Sequence, residues 1–212
     1  PDTQKEIYYI SAETSAQALA SPHLEGFKSK NIPVLIMTDA IDQFWLPMVG
    51  SFKEKKFTSI TQGKINLDEL DSKNKDKKNK NNNDKDKQDK EYVDLIAQLK
   101  VVLGDQVKDI RLSSKLTDSP VCLVADEGDM DIAMEQLMAQ RDSNYKGAPR
   151  ILEINGDHSL IKNMKSLLSK KESNDLVSDA GTLLFEQARL MEGKMPADPA
   201  QFSKIMNQFL LK

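Results

Sequence analysis

The apolar positions of the first seventy residues fall on two alternating periods. Glu6–Ile10 (EIYYI) is aromatic and β-branched, which predicts a strand. Ala12–Ala20 reads as a short helix. Ser21-Pro22 has the chemistry of a second helix start, with Ser as N-cap, Pro at the first helical position and Glu25 in the first turn. That helix is expected to reach about Lys30. Val34–Met37 (VLIM) is an unbroken apolar run, the pattern of a buried parallel strand. Asp39 is placed to cap a helix over Ala40–Val49, and Phe57–Thr61 reads as another strand. Strand, helix, strand, helix, strand predicts a small α/β unit with a parallel sheet over residues 1–71.

The pattern stops at Ser72–Lys90, which contains no apolar residue. Such a stretch buries nothing to offset its ordering entropy, so it is expected to be a disordered or solvated linker. Helical spacing resumes over Glu91–Leu103 and closes at Gly104. Val107–Leu112, Val121–Ala125 and Arg150–Ile154 read as strands. Asn155-Gly156 is a turn signal, and Asp157 is placed to cap a helix reaching Lys170. Asp175–Glu192 is strongly apolar, and Asp198-Pro199 opens a last helix by the same N-cap logic. The expected fold is therefore an α/β subdomain followed, over 91–212, by an α+β domain with a small sheet and a terminal helical hairpin. The last two helices look too apolar for one small sheet to cover. Spare apolar surface of this kind commonly pairs with a symmetric copy, the alternative being that both helices fold back on their own domain.

Asp126–Arg141 (DEGDMDIAMEQLMAQR) carries Met130, Met134, Leu137 and Met138 at i, i+4, i+7 and i+8, one narrow stripe on a helix. Asp126, Glu127, Asp129 and Asp131 crowd its start, where carboxylates suit the helix dipole. The stripe has two readings. It is a core-facing helix that uses Met, or a surface that grips other proteins with adaptable, polarizable side chains. Ile132 points away from the stripe.

Charge narrows the picture. The chain has 212 residues and a net charge of −3. Ser72–Lys90 carries a local +4, leaving −7 on the rest, which argues against nucleic acid as a partner. The apolar runs are far too short to span a membrane, and PDTQKEIYYI, with no basic region followed by an apolar core, is not expected to be a signal peptide. A start without Met, close to the first strand, points to a fragment of a longer protein. The single cysteine, Cys122, allows no intramolecular disulfide and reads as a small buried hydrophobe. His23 and His158 each follow a helix-start signal and read as partly exposed structural residues. Asp39 and Asp42 read as an N-cap and a dipole partner. No phosphate loop or metal-ligand spacing is present, and no catalytic constellation stands out.

Three stretches resemble the heat-shock protein 90 chaperone family in its bacterial form. They are EIYYISAETSAQALASPHLEGFKSKNIPVLIMTDAID (Glu6–Asp42), VKDIRLSSKLTDSPVCLVAD (Val107–Asp126) and RILEINGDHSLIKNM (Arg150–Met164). The third has Gly156 and Ser159 where the family often has Pro. The match covers the end of the family's middle domain and its C-terminal domain. The resemblance implies that full-length relatives bind ATP and Mg and hydrolyse ATP in an N-terminal domain outside this chain, so the fragment is expected to hold no cofactor and to be no enzyme by itself. It also implies a homodimer through the final two helices, mapping onto Leu176, Leu183, Leu184, Leu190, Phe202, Ile205, Met206, Phe209 and Leu210. The family's client-contact helix maps onto Asp126–Arg141, with Met130, Met134, Leu137 and Met138 as the apolar contacts. A second client patch maps onto the residues after Asp39-Ala40-Ile41-Asp42. There Gln43 replaces an acidic residue, and Phe44 and Trp45 are contact or core residues. The ending QFLLK lacks the acidic tail of eukaryotic cytosolic relatives, which favours a bacterial (cytoplasmic) or organellar member. The implied partners are a second copy and unfolded or partly folded clients, with no nucleic acid and no membrane. The reading from another class is a small α/β enzyme with a helical dimerisation tail, and a third is a purely structural dimerisation module.

Overall fold

The computed structural model describes residues 4–67, 78–142, 145, 147–168 and 174–211, with 78–89 described as backbone. The first sheet contains β1 (Glu6–Ser11), β2 (Val34–Met37), β3 (Ser51–Phe52) and β4 (Lys55–Ser59), in the order β2-β1-β4-β3. β1 is central and parallel to both β2 and β4, as the strand–helix alternation predicts. The short antiparallel β3–β4 hairpin was not expected. It turns through Lys53 and Glu54, both at positive φ. β2 has the expected bounds but not the expected burial. It lies at the sheet edge with one strand neighbour, and Leu35 is exposed.

Thr14 Oγ1 accepts from the Gln17 amide and caps α1 (Ser15–Leu19). Ser21 Oγ accepts from the His23 amide, as expected, but the first turn is a 3-10 turn over Pro22–Leu24. α2 (Glu25–Ser29) follows directly, and α3 (Asp42–Val49) starts two residues later than expected. Tyr8, Ile10, Ala18, Leu24, Phe27 and Ile60 form the core of this unit, with the Tyr8 and Phe27 rings 5.0 Å apart.

The polar stretch departs further from expectation. Residues 72–77 lie outside the described residues, but Lys78 onward is helical, forming with 91–103 one helix, α4 (Lys78–Leu103). Burial is needed to nucleate a helix more than to extend one. Once the apolar half is packed, each further residue adds one backbone hydrogen bond.

The second sheet holds β5 (Val107–Leu112), β6 (Val121–Val124) and β7 (Arg150–Ile154) in the order β5-β7-β6. β7 is parallel to β5 and antiparallel to β6. α5 (Ile132–Arg141) precedes β7. After it come α6 (Ser159–Leu168), α7 (Asn174–Met191) and α8 (Pro199–Leu210). Leu95, Leu99, Leu123, Leu152, Ile161 and Phe185 are among the core residues shared by this sheet and α4, α6 and α7. His158, not Asp157, caps α6: its Nδ1 accepts from the Leu160 amide at 3.2 Å, while Asp157 pairs with Lys162. The expected end of that helix, Lys170, lies outside the described residues.

Polar bonds join the two sheets. Gln62 and Ala125 form a parallel bridge. The Glu25 carboxylate accepts from the amides of Thr117 and Asp118 at 2.8 Å and of Ser119 at 3.1 Å. Burial raises the Glu25 carboxyl, but the bonds from Ser119 and these amides outweigh it and hold it below the usual range. Gly26 packs so closely that a Cβ there would lie 2.5 Å from the Lys115 carbonyl oxygen. Because that neighbour is backbone, Gly26→Ala is expected to destabilise the chain by about 1–3 kcal/mol, read as a lower urea midpoint.

His23 is not partly exposed but buried at this joint. Burial, reinforced by Lys115, lowers its pKa from 6.5 to about 3, so it is neutral in the fold. The unfolded chain takes up this proton near pH 6.5 and the folded chain does not. The His23 contribution to stability is therefore whole above pH 6.5 and is lost progressively as pH falls toward 3. Urea midpoints at pH 7.5 and pH 5 are expected to differ less for His23→Leu than for the parent chain; an equal difference would contradict a neutral buried His23.

Candidate functional site

α5 does not begin where its acidic residues first appear. Asp131 is the N-cap: Oδ1 accepts from the Ala133 amide, and Oδ2 accepts from Ser59 Oγ and Thr61 Oγ1 of the first sheet. Residues 126–130 form a loop instead of a first turn. Asp126 and Asp129 there pair with Lys108 at 2.7 and 3.0 Å, and Gln62 Nε2 donates to the Asp129 carbonyl. Met130 therefore precedes the helix instead of belonging to its stripe.

The helix is inverted with respect to polarity. Ile132 and Glu135 are its buried residues, whereas Met130 and Met138 are 40% and 37% exposed and Met134 and Leu137 half-buried. Ile132 anchors the helix, as its position opposite the stripe predicts. The buried Glu135 accepts from Arg150 Nη2 at 2.5 Å and stands 3.3 Å from Lys194 Nζ. Sequence reasoning missed this group. Its trace was a strand, RILEI, that is wholly buried yet holds Arg150 and Glu153.

The second predicted patch divides. Trp45 turns inward: its ring meets Phe57 edge-on at 5.8 Å, and Nε1 donates to Asp42 Oδ1 at 2.7 Å. Phe44 points out, 38% exposed. Adjacent helical residues diverge by about 100°, so the split follows from the geometry. Ile41 and Met48, one face of α3 with Phe44, and Phe52 of β3 are also exposed. Their i, i+3, i+7 spacing was the signal overlooked. A cavity of about 300 Å³ lies between Leu137 and Gln140 of α5 and Thr38, Asp39 and Gln43.

Of the residues mapped to a dimer interface, Leu184 and Ile205 fill the chain's own core. This corrects their assignment as free apolar surface. Leu176, Leu183 and Phe202 are half-buried; Leu190, Met206, Phe209 and Leu210 are exposed. Met191, Met195 and Leu211, not named from the sequence, extend that exposed surface.

A larger cleft of about 680 Å³ lies behind α5, lined by Glu135, Gln136, Tyr145, Arg150, Phe185 and Glu192 among others. Among the described residues no three His, Cys, Asp or Glu side chains are grouped to hold a metal ion, and no helix is long and apolar enough to cross a membrane. His23 and Cys122 line one cavity of about 60 Å³, but burial keeps the imidazole neutral and pushes the thiol up, so the pair supplies no thiolate nucleophile.

The family model described as Hsp90 protein matches residues 1–212. The Chaperone protein HtpG of Roseobacter denitrificans is 42% identical over 201 residues, 94% of this chain and 32% of that protein. Those of Paramagnetospirillum magneticum and Wolbachia pipientis are 40% and 38% identical over 97% and 99% of this chain, and 32% of each relative. The chain spans about a third of the length of these relatives.

Proposed function

The chain belongs to the Hsp90 family, and from that membership we propose that it forms the end of the middle domain and the C-terminal dimerisation domain of a bacterial chaperone, and that it contacts unfolded or partly folded proteins. The observation that carries this reading is the inverted helix. α5 buries a glutamate and leaves Met138 in solvent, with Met134 and Leu137 half-open beside it and Met130 exposed in the loop just before the helix. Unbranched, polarizable Met adapts to many partner shapes. A cavity lined by Leu137 of the stripe and by Gln43, the residue before the outward Phe44, lies between the two patches.

The mechanism proposed is avidity. Two such surfaces, held in one dimer through α7 and α8, engage separate segments of one unfolded chain, so the second contact forms at high effective concentration. Nucleotide binding and hydrolysis belong, on this reading, to parts of the longer relatives that this chain does not span, and the mechanism routes no step through them. The implied location is the bacterial cytoplasm.

Changing Met130, Met134 and Met138 together to Ser is expected to weaken binding of a permanently unfolded reporter by roughly tenfold, as lost apolar contact area predicts. The melting temperature should fall little. A loss of several kcal/mol of stability, about the cost of emptied core sites, would instead make the stripe core. Fluorescence anisotropy of the reporter and thermal melts decide between the two.

A further inference from the structure

We propose that Lys194 is a positioning residue for the Met-bearing face of α5, tying that helix, through the Glu135 carboxylate, to the segment that leads into α8. This rests on the reading of α5 as a contact surface. α5 has no extensive packing against any other described helix or strand. It is held by Ile132, by its cap Asp131, and by polar bonds on its inner face. Those bonds converge from three other parts of the chain. Arg150 at the start of β7 donates Nη2 to Glu135 Oε2 and Nη1 to the Met130 carbonyl at 2.9 Å. Gln136 Nε2 donates to the Glu192 carbonyl at 2.6 Å. Lys194 stands 3.3 Å from Glu135 Oε1 and 3.3 Å from Glu192 Oε2. On the remaining side the Gly147 backbone presses on the Glu135 carboxylate, where any Cβ would overlap it.

The charge count makes Lys194 decisive. Glu135 and Glu192 are two buried carboxylates, and among the described residues Arg150 is the only other cation in contact with Glu135. The Glu192 carboxylate has no hydrogen bond, only the ion pair to Lys194, and burial pushes its carboxyl up. Without Lys194, two carboxylates of low exposure face one guanidinium, an arrangement that is unfavourable. Glu135 cannot retreat toward Gly147, so relief comes by α5 moving outward. Lys194 is itself partly exposed and precedes α8, so the terminal helix pair and the Met face share one ionic joint.

The test is hydrogen exchange on the whole chain, with no client present. In Lys194→Met, amides of α5 are expected to exchange roughly tenfold faster than in the parent chain, while the melting temperature changes little, because local opening is cheaper than global unfolding. Lys194→Arg should restore the parent rate. Lys194→Met in a Glu135→Gln background should add less than it does in the parent chain, since the Glu135 pair is already gone and only the Glu192 pair remains to be lost. Parent-like exchange in Lys194→Met, acceleration that Arg does not rescue, or full additivity with Glu135→Gln would each overturn the proposal. A loosened α5 in Lys194→Met, combined with unchanged reporter binding by the Met→Ser variant, would retain the joint and refute the contact-surface reading.

Discussion

Lys115→Met is expected to weaken the joint between the two sheets more than any other single substitution. The Lys115 side chain is 1% exposed; Nζ donates to the Ile60 carbonyl at 3.1 Å and lies 3.8 Å from Glu153 Oε2. Glu153 also accepts from Arg111 and from Ser113 Oγ, and Arg111 continues the bonding to the Gly63 carbonyl. Met fills nearly the same volume but removes the charge. Ile60 loses a donor, and among the described residues the buried Glu153 keeps only Arg111 as a cation in contact. Breaking a buried pair on one side costs about 3–5 kcal/mol, most of it the penalty on the partner left behind. Trp45, the single tryptophan, reports the first sheet by fluorescence, and far-UV circular dichroism is dominated by the helices around the second. The two urea transitions should coincide in the parent chain and separate in Lys115→Met, with the first sheet lost earlier. Lys115 also adds, after burial, to the lowering of the His23 pKa, so its removal should raise that pKa toward 6.5 and lessen the further loss of stability between pH 7.5 and pH 5. Coincident transitions with an unshifted midpoint would mean that the pair contributes nothing.

The second large effect is expected at the chain's last helix. Met206, Phe209 and Leu210 are exposed on α8, Leu210 at 75%, and Leu190, Met191 and Met195 are exposed near the end of α7. Water-exposed apolar surface of this extent on two adjacent helices fits a self-complementary interface. Phe209→Asp with Leu210→Asp is expected to raise the dimer dissociation constant by about a hundredfold or more, because a central aromatic and a charge left in an apolar interface each cost kilocalories. Sedimentation should then find monomers at micromolar concentration. The fold should survive, since neither side chain is in the core; a melting temperature near that of the parent chain checks this. Ile205→Asp serves as the contrast. It is buried within the chain, so it should unfold the hairpin instead of only parting the copies. A parent chain that sediments as a monomer at every concentration would remove the dimer from the proposal altogether.

Both effects depend on partners far apart in the chain, and this separates what was legible in the sequence from what was not. Period and capping chemistry act over a few residues. Val34–Met37, Val107–Leu112 and Arg150–Ile154 are strands with the bounds that their apolar runs predict. Ser21 and Asp198 cap through their own side chains, as their sequence context predicts. Ile132 could be recognised as an anchor because it faces away from the Met stripe, and the divergence of Phe44 and Trp45 follows from helix geometry. The family was legible too, in the extended runs that resemble it.

Tertiary structure decided the rest. Four acidic residues offered themselves as the start of α5. The choice fell on Asp131, because Ser59 and Thr61, some seventy residues earlier, donate to that carboxylate. Lys115, Glu135, Arg150 and His23 have the composition of surface residues, yet all are buried. Each is paid for by a partner on another element, and no local pattern encodes such a partner. Leu184 and Ile205 read like the exposed leucines and methionines beside them until the packing of α7 and α8 placed them inside. Local sequence determines which conformation a segment prefers and which residues share a face. Whether that face meets water, a carbonyl or an opposite charge is set by segments that only the fold brings near, because burial and charge pairing are properties of neighbours in space.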